Sequence, residues 1–269
     1  MNPDQPDPTV QDVADWWSTA VSRIAPNVIE LRGRPVQELI GSISFAGVIW
    51  LMLRGDTATP GQERLLEAAL VSAVDHGPHA PSIAVARMAA TCGIGLNNAV
   101  ATGVNLLGDA HGGAGEQCMT LLAEVRDRAA GTDVDTAAAT VVREWRTRSK
   151  YLPGFGHRFH SVDPRRDPLL GLVEQAVADG VVDGAYLRAA QAVERVLAAG
   201  RARPVPINID GCTAVVYGEL GYPPPLARGL FVLSRSVGIL AHAWEETGQG
   251  RRNKGPIPPS ILPTHLGDA

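Results

Sequence analysis

The sequence predicts a mostly α-helical protein, on three observations. Apolar residues recur at helical spacing, and Leu65, Leu66, Ala69, Leu70 and Ala73 form one such stripe. Helix-start residues precede the stripes, as at Thr59-Pro60-Gly61-Gln62, which offers a Thr N-cap, a first-turn proline and a Gln three residues after the cap. Beyond the N-terminal region no convincing run alternates apolar and polar residues as a half-buried strand would.

In chain order, residues 20–39 mix β-branched residues with Pro26, Gly33 and Pro35, and read as short strands or loops. A buried helix is expected over 42–53. The helix begun at Thr59 should stop at Gly77-Pro78, leaving His76 at its C-terminal end. Segments 82–91 and 97–107 read as Ala/Gly/Val-rich helices able to pack closely, and 108–115 breaks the pattern. Helices follow over about 116–130 and 135–149. Asp167-Pro168 should cap and open another, ended by Gly180. A helix is expected over 183–199, an extended stretch over 204–208, a helix start near Asp210 and a long helix over 225–246. The Gly/Pro/Arg tail 248–263 cannot form a packed element alone. No internal repeat is visible.

Composition narrows the function classes. A chain of 269 residues fits one or two domains, and 45% hydrophobic with 19% charged residues is ordinary for a soluble protein. The net charge of −4 gives no reason to expect nucleic acid. Of 24 basic residues only Lys150 and Lys254 are lysines, and neither sits in a Walker A motif. Cys92, Cys118 and Cys212 show no CxxC spacing, which suits free thiols in a reducing cytoplasm and suggests no metal site. Residues 1–8 do not read as a signal peptide, and the longest uncharged run, 39–53, is shorter than the ~20 residues of a membrane span. A cytoplasmic protein is expected, without membrane partners.

Gly154-Phe155-Gly156-His157-Arg158, followed by Asp163-Pro164-Arg165-Arg166, sets a histidine among glycines and guanidinium forks suited to carboxylate or phosphate. His157 beside Arg158 favours the neutral form, although these residues alone favour a surface-loop histidine. His160 lies nearby, but two loop histidines make no metal site. His111 precedes Gly112-Gly113 at an expected helix N-terminus, where a charged imidazolium is disfavoured. A neutral imidazole there could stabilise an enolate by donating a hydrogen bond, or could simply be a capping or core histidine. Asp210 could be an N-cap or a carboxylate base, and capping would lower its pKa and weaken the base. Arg235 lies in an apolar run and needs a bound anion or an acidic partner, unless Arg228, Arg235, His242 and Glu246 form a solvated stripe. His76 at a helix C-terminus would be stabilised as a cation able to meet a carboxylate. His79 could do likewise or cap the turn.

Taken together, Arg32-Gly33 with Leu39-Ile40, Asp75-His76-Gly77, Ala110-His111-Gly112-Gly113-Ala114, Gly154-Phe155-Gly156-His157-Arg158, Asp163-Pro164-Arg165, Asn208-Ile209-Asp210 and Ser234-Arg235-Ser236-Val237-Gly238 resemble, in order, the citrate synthase superfamily. The compact length and Val74-Asp75-His76-Gly77-Pro78 look most like stand-alone citryl-CoA lyases and the C-terminal module of ATP-citrate lyase. The resemblance implies a two-domain helical fold. Residues 1–112 and 207–269 would form a large domain, 113–206 a small mobile domain on the coenzyme A side, and 248–269 a C-terminal arm. It implies coenzyme A as acyl carrier, acetyl-CoA and oxaloacetate as reaction partners, and a homodimer or dimer-based oligomer. It implies His111 as the enol-stabilising histidine, His157 as the histidine facing the oxaloacetate oxygen and Asp210 as the base. His76, Arg165 and Arg235 would hold carboxylates; Leu152, Pro153, Gly154, Phe155, Gly156 and Arg158 would contact coenzyme A. Arg251, Arg252 and Lys254 could serve a neighbouring subunit's site.

Two departures stand out. The family's longer helical region between the positions of Pro60 and Asp75 is missing, and the spacing from His157 to Arg165 is one residue shorter, which leaves Arg165 and Arg166 as alternatives for the substrate contact. The expected reaction is cleavage of citryl-CoA. The alternatives are a synthase-like condensation of acetyl-CoA with oxaloacetate or another 2-oxo acid, and a non-catalytic CoA-ester-binding subunit.

Overall fold

A computed structural model describes residues 8–157, 161–203, 205–255, 257–258 and 260–267. It divides into two compact units, Met1–Arg64 and Leu65–Ala269. The first contains helix α1 (Pro8–Trp16), strands β1 (Ser22–Ala25), β2 (Val28–Leu31) and β3 (Arg34–Pro35), and helices α2 (Val36–Leu39) and α3 (Phe45–Arg54). The strands form one antiparallel sheet in the order β1-β2-β3, with Ser22 opposite Leu31 and Leu31 opposite Arg34. Arg32 and Gly33 join β2 to β3 with φ of 48° and 77°, the left-handed pair a tight hairpin requires. The Arg32 guanidinium donates to Met52 O at 3.0 and 2.8 Å, tying the hairpin to α3. Ser44 caps α3 by accepting from Gly47 N, and donates to Glu63 at 2.5 Å. Trp50 and Leu51 are buried, in line with the apolar run that predicted this helix.

Helix α4 (Pro60–Ser72) opens as expected: Gln62 N donates to Thr59 Oγ1 at 3.3 Å and Thr59 N to Gln62 Oε1 at 2.9 Å, a reciprocal capping box. The second unit continues with α5 (Pro81–Ala90), α6 (Leu96–Val104), α7 (Ala114–Ala129), α8 (Val134–Arg148), α9 (Arg166–Ala178), α10 (Ala185–Ala198), α11 (Ile209–Glu219) and α12 (Pro224–Gly248). The expected mostly helical class is therefore observed. Helix α12 packs on α5, α6 and α7, α11 packs on α7 and α10, and α10 packs on α8. Ile83, Ala86, Ala99, Leu107, Ile239 and Ala243 form one core where α5, α6 and α12 meet. Nearly every residue of α11 from Ile209 to Gly218 is buried, so the segment bearing Asp210 is the most enclosed in the unit.

Among the described residues α12 alone has the length and apolarity of a membrane-spanning helix. It also buries Arg235 and Glu246, both bonded to neighbouring segments. That overturns the solvated-stripe reading of Arg228, Arg235, His242 and Glu246. One helix start differs from expectation, and at another the structure chooses between two readings. Asp167 does not cap α9, because Asp163 turns the chain earlier, accepting Arg165 N through its side chain and Arg166 N through its carbonyl, both at 3.0 Å. Asp210 does not cap α11, because Asn208 Oδ1 already accepts Asp210 N at 3.0 Å and Gly211 N at 3.3 Å.

Candidate active site

The second unit holds a cleft of about 130 Å³ lined by Ala73, His76, His111, Gly112, His157, Arg165, Ile209, Asp210, Thr213, Phe231 and Arg235. The two histidines and the aspartate singled out for catalysis, with three of the four residues singled out for carboxylates, thus meet in one place. The fourth, Arg166, lies elsewhere. It donates to Glu194 at 2.8 and 3.0 Å and to Asp167 at 2.6 Å, and lines a separate hollow with Val162, Arg195 and Pro206.

His111 shows how the fold prepares a neutral imidazole. Its Nε2 lies 3.2 Å from Ser82 N and 3.0 Å from Ser82 Oγ. Ser82 is the second residue of α5, so its amide proton has no partner within the helix. A backbone amide can only donate, so Nε2 accepts and the ring proton sits on Nδ1. Burial, then the charge of Arg235, hold the His111 pKa below the ordinary value of 6.5. The lowered pKa favours the neutral ring, but from a different source than expected: α7 begins three residues later, and the N-terminus aimed at the ring is that of α5.

Asp210 is the second residue of α11, and among the described residues no hydrogen bond or ion pair reaches its carboxylate. Burial raises its pKa and Asp163 adds to the rise. Arg165 and Arg235 oppose it without reversing it. The conflict between capping and base chemistry is resolved by the chain itself, since Asn208 caps and leaves Asp210 uncapped.

Arg165 is gripped by Asp163, with Nε to Oδ1 at 2.9 Å and Nη2 to Oδ2 at 2.8 Å, and its Nη1 donates to Ser72 O at 3.3 Å. Asp163 was overlooked as a site residue; its signal is the Asp-Pro-Arg spacing, which lets one carboxylate take both the backbone and the guanidinium of the arginine two residues on. Arg235 is 5% exposed, donates from Nε to Ala73 O at 3.1 Å, and stacks on the Phe231 ring with 4.9 Å between guanidinium and centroid. Burial lowers its pKa, and Asp75 and Asp210 support its charge. Ser82, Thr213 and Phe231 escaped the sequence reading because only tertiary packing brings them here.

The expectation of a cationic His76 at a helix C-terminus is overturned. Helix α4 stops at Ser72, four residues earlier, beyond the one-turn reach of its dipole. Burial, then the charges of Arg165, Arg235, His157 and His79, push the His76 pKa below its usual value. Its ring lies 5.8 Å from that of His157 and 5.4 Å from that of His79.

The loop 152–156 is strapped to the segment entering α11. Gly156 N donates to Pro206 O at 2.7 Å, Asn208 N to Gly154 O at 2.9 Å, and Asn208 Nδ2 to Gly156 O at 2.7 Å. Leu152 and Phe155 are buried beneath it. At Gly154 the close approach is to the protein itself: a Cβ would lie 2.4 Å from Cys118 Sγ and 2.9 Å from Gly211 Cα. Pro153 is half-buried in the same strap, and Arg158 and His160 lie outside the described residues. In the tail, Arg251 and Arg252 are exposed, whereas Lys254 Nζ bonds buried Glu246 of its own chain at 3.1 Å. Among the described residues no cluster of three His, Cys, Asp or Glu side chains could hold a metal ion.

Residues 44–258 match the citrate synthase C-terminal domain, and the chain belongs to the citrate synthase family. The fold is similar to that of citryl-CoA lyase from Hydrogenobacter thermophilus, with a TM-score of 0.82 and 30% identity, covering 94% of this chain and 95% of that one. An ATP citrate lyase from Methanothrix soehngenii, solved in complex with citrate and coenzyme A, shares the fold with a TM-score of 0.79 and 21% identity, over 100% of this chain and 46% of that one. The citrate synthase of Haloferax volcanii is 28% identical over 221 residues, 82% of this chain and 56% of that protein. The chain thus spans about half the length of the curated relatives it matches.

Proposed function

We propose that the protein is a citryl-CoA lyase, cleaving citryl-CoA to acetyl-CoA and oxaloacetate by a retro-Claisen reaction. One observation carries this reading: His111, whose Nε2 accepts from Ser82 N and whose pKa is lowered, shares a cleft with an uncapped Asp210 whose pKa is raised. That pairing suits an enolate, which needs a hydrogen-bond donor at oxygen and a proton carrier at carbon.

His157 takes the proton of the citryl hydroxyl, and the carbinol C–O becomes the ketone of oxaloacetate. The bond from the carbinol carbon to the carbon next to the thioester breaks, and its electron pair forms the acetyl-CoA enolate. His111 Nδ1–H donates to the enolate oxygen, and protonated Asp210 delivers its proton to the enolate carbon. Arg165 and Arg235 neutralise the oxaloacetate carboxylates, and His76 contributes a hydrogen bond rather than a charge. Arg165 takes this role in preference to Arg166, because Arg165 lines the cleft and Arg166 lies in a separate hollow. Coenzyme A is contacted by the loop residues Leu152, Pro153, Gly154, Phe155 and Gly156, and Arg158 of the same motif is assigned to it from the sequence. Residues 113–206 act as the small domain and close over 1–112 and 207–269, excluding water from the thioester. The working form is a homodimer whose arm, 248–269, presents Arg251 or Arg252 to the partner's site.

Similarity to a citryl-CoA lyase over nearly the whole of both chains supports the lyase direction. The second reading, a condensing enzyme joining acetyl-CoA to oxaloacetate or another 2-oxo acid, is supported by curated relatives named citrate synthase. A non-catalytic CoA-ester-binding subunit would have no use for His111 and Asp210 so prepared. The test supplies citryl-CoA and follows oxaloacetate, then supplies acetyl-CoA with oxaloacetate and follows free thiol. Faster cleavage than condensation is expected. Condensation alone favours the second reading, and activity in neither direction overturns both.

A further inference from the structure

The turn 73–77, which carries His76 into the cleft, is held by α12 at three points, the first being the bond from Arg235 Nε to Ala73 O. Gly238 lies so close that a Cβ there would sit 2.2 Å from Val74 O and 3.1 Å from Asp75 Oδ1. One helical turn further on, His242 Nε2 lies 3.3 Å from both Asp75 carboxylate oxygens. Asp75 Oδ2 also accepts Gly77 N at 3.1 Å, closing a side-chain turn around His76. On its other side, His242 Nδ1 lies 3.1 Å from Arg87 Nη1. A guanidinium only donates, so Nδ1 accepts, the ring proton sits on Nε2, and Nε2–H donates to Asp75.

The base of this ladder is firm. Arg87 is paired with Glu245 at 2.7 Å and with buried Glu246 at 2.5 Å. Glu246 also receives Lys254 Nζ, and the tail is fastened by Asn253 N to Thr91 O at 3.2 Å and Lys254 N to Thr91 Oγ1 at 2.9 Å. At the top of the ladder the Asp75 side chain is 41% exposed, its side-chain partner is His242 and its other bond is to the amide of its own turn, and α4 has already ended three residues before it.

We propose that His242 is a positioning residue, which acts through Asp75 to hold the His76 turn at the carboxylate end of the cleft. The ladder runs Glu246–Arg87–His242–Asp75, and His242 is its one member that must donate at one end and accept at the other. The proposal rests on the lyase or synthase reading of the cleft for its kinetic consequence, while its structural consequence is independent of that reading.

The test compares the full-length protein with His242→Ala and His242→Gln, since a Gln amide can both donate to Asp75 and accept from Arg87. His242→Ala is expected to raise KM for the carboxylate substrate about five- to tenfold, with kcat changed by no more than about twofold, as loss of one positioning hydrogen bond predicts. His242→Gln should restore KM to within about twofold of the parent. Ring NMR supplies the second readout. The parent should show His242 protonated at Nε2 and bare at Nδ1, and His242→Ala should shift the His76 resonances while leaving those of His111 in place. Unmoved His76 resonances, an equal fall in kcat and kcat/KM, or a Gln variant no better than Ala overturns the proposal. If the parent is inactive in both directions, the activity reading falls and the ring shifts alone decide the positioning role.

Discussion

Two carboxylates, Asp163 behind the cleft-lining Arg165 and Asp210 in the cleft wall, have opposite fates. Each stands at or just before a helix start, and each feels the charge of Arg165. Burial alone would raise the pKa of both. Yet Asp163, whose side chain is fully buried, is driven down to about 2, because four donors converge on it: Arg165 Nε, Nη2 and N, and Ile209 N. No donor among the described residues reaches Asp210, and its pKa rises. Directed hydrogen bonds, not proximity to arginine, decide which carboxylate stays charged and which can carry a proton. One half of the cleft is thereby a fixed scaffold and the other is chemically available.

Three substitutions break or sharpen this contrast. The largest effect is expected for Asp210→Asn, which removes the proton carrier without changing shape. Turnover should fall by about 10²–10⁴ while thermal stability holds or rises, as measured by steady-state kinetics and melting of the same preparation. Unchanged turnover would remove Asp210 from the chemistry. Asp163→Asn should act the other way, on stability first. The pKa of Asp163 lies near 2 against 3.8 for the free group, so ionisation of the folded state contributes about 2 kcal/mol above pH ~4, and this is lost as pH falls through about 2. Urea unfolding of parent and variant should therefore differ at pH 6 and converge near pH 2. A constant gap across that range would contradict the assignment. The smallest effect is expected for Asn208→Ala, which should cost about 1 kcal/mol as a lost cap. With the α11 amides released, Asp210 can take over the cap, and the acid limb of the kcat/KM profile should move to lower pH. A profile that stays in place would show that Asn208 does not keep Asp210 available.

How much of this was legible in the sequence follows the range of the forces involved. The Thr59–Gln62 capping box spans three residues and was readable, as was the Leu65–Ala73 stripe. The gathering of His111, His157, Asp210, Arg165 and Arg235 was legible through the order of the family-like segments. Helix α1 escaped although Asp7-Pro8 carries the start signature read at Asp167-Pro168, because residues 1–8 read only as a polar, Pro-rich terminus. Whether Asp210 caps α11 or stands free as a base stayed open in the sequence, because Asn208 and Asp210 are both good cap residues and only backbone geometry chooses between them. The polarising contact on His111 comes from Ser82, 29 residues away, and no local pattern announces it. Arg235 and Glu246 fit a wet helix face by spacing alone; the packing of α12 on α5 and the anchoring of Arg235 to Ala73 decided otherwise.

The bond from Ser82 N to His111 Nε2 also constrains what kind of molecule the cleft can welcome. With that lone pair occupied, His111 can offer the cleft only a proton, and Arg165 and Arg235 can offer nothing else. Around Asp210 the wall is thus a stencil of donors. A ligand whose carboxylate and thioester oxygens accept, with its one hydroxyl turned toward His157 and one carbon acid toward the aspartate, matches it. An amide or ammonium analogue of the same shape presents hydrogen to hydrogen at several points. The selectivity of this protein is written in the polarity of its hydrogen bonds before the size of the cleft is consulted.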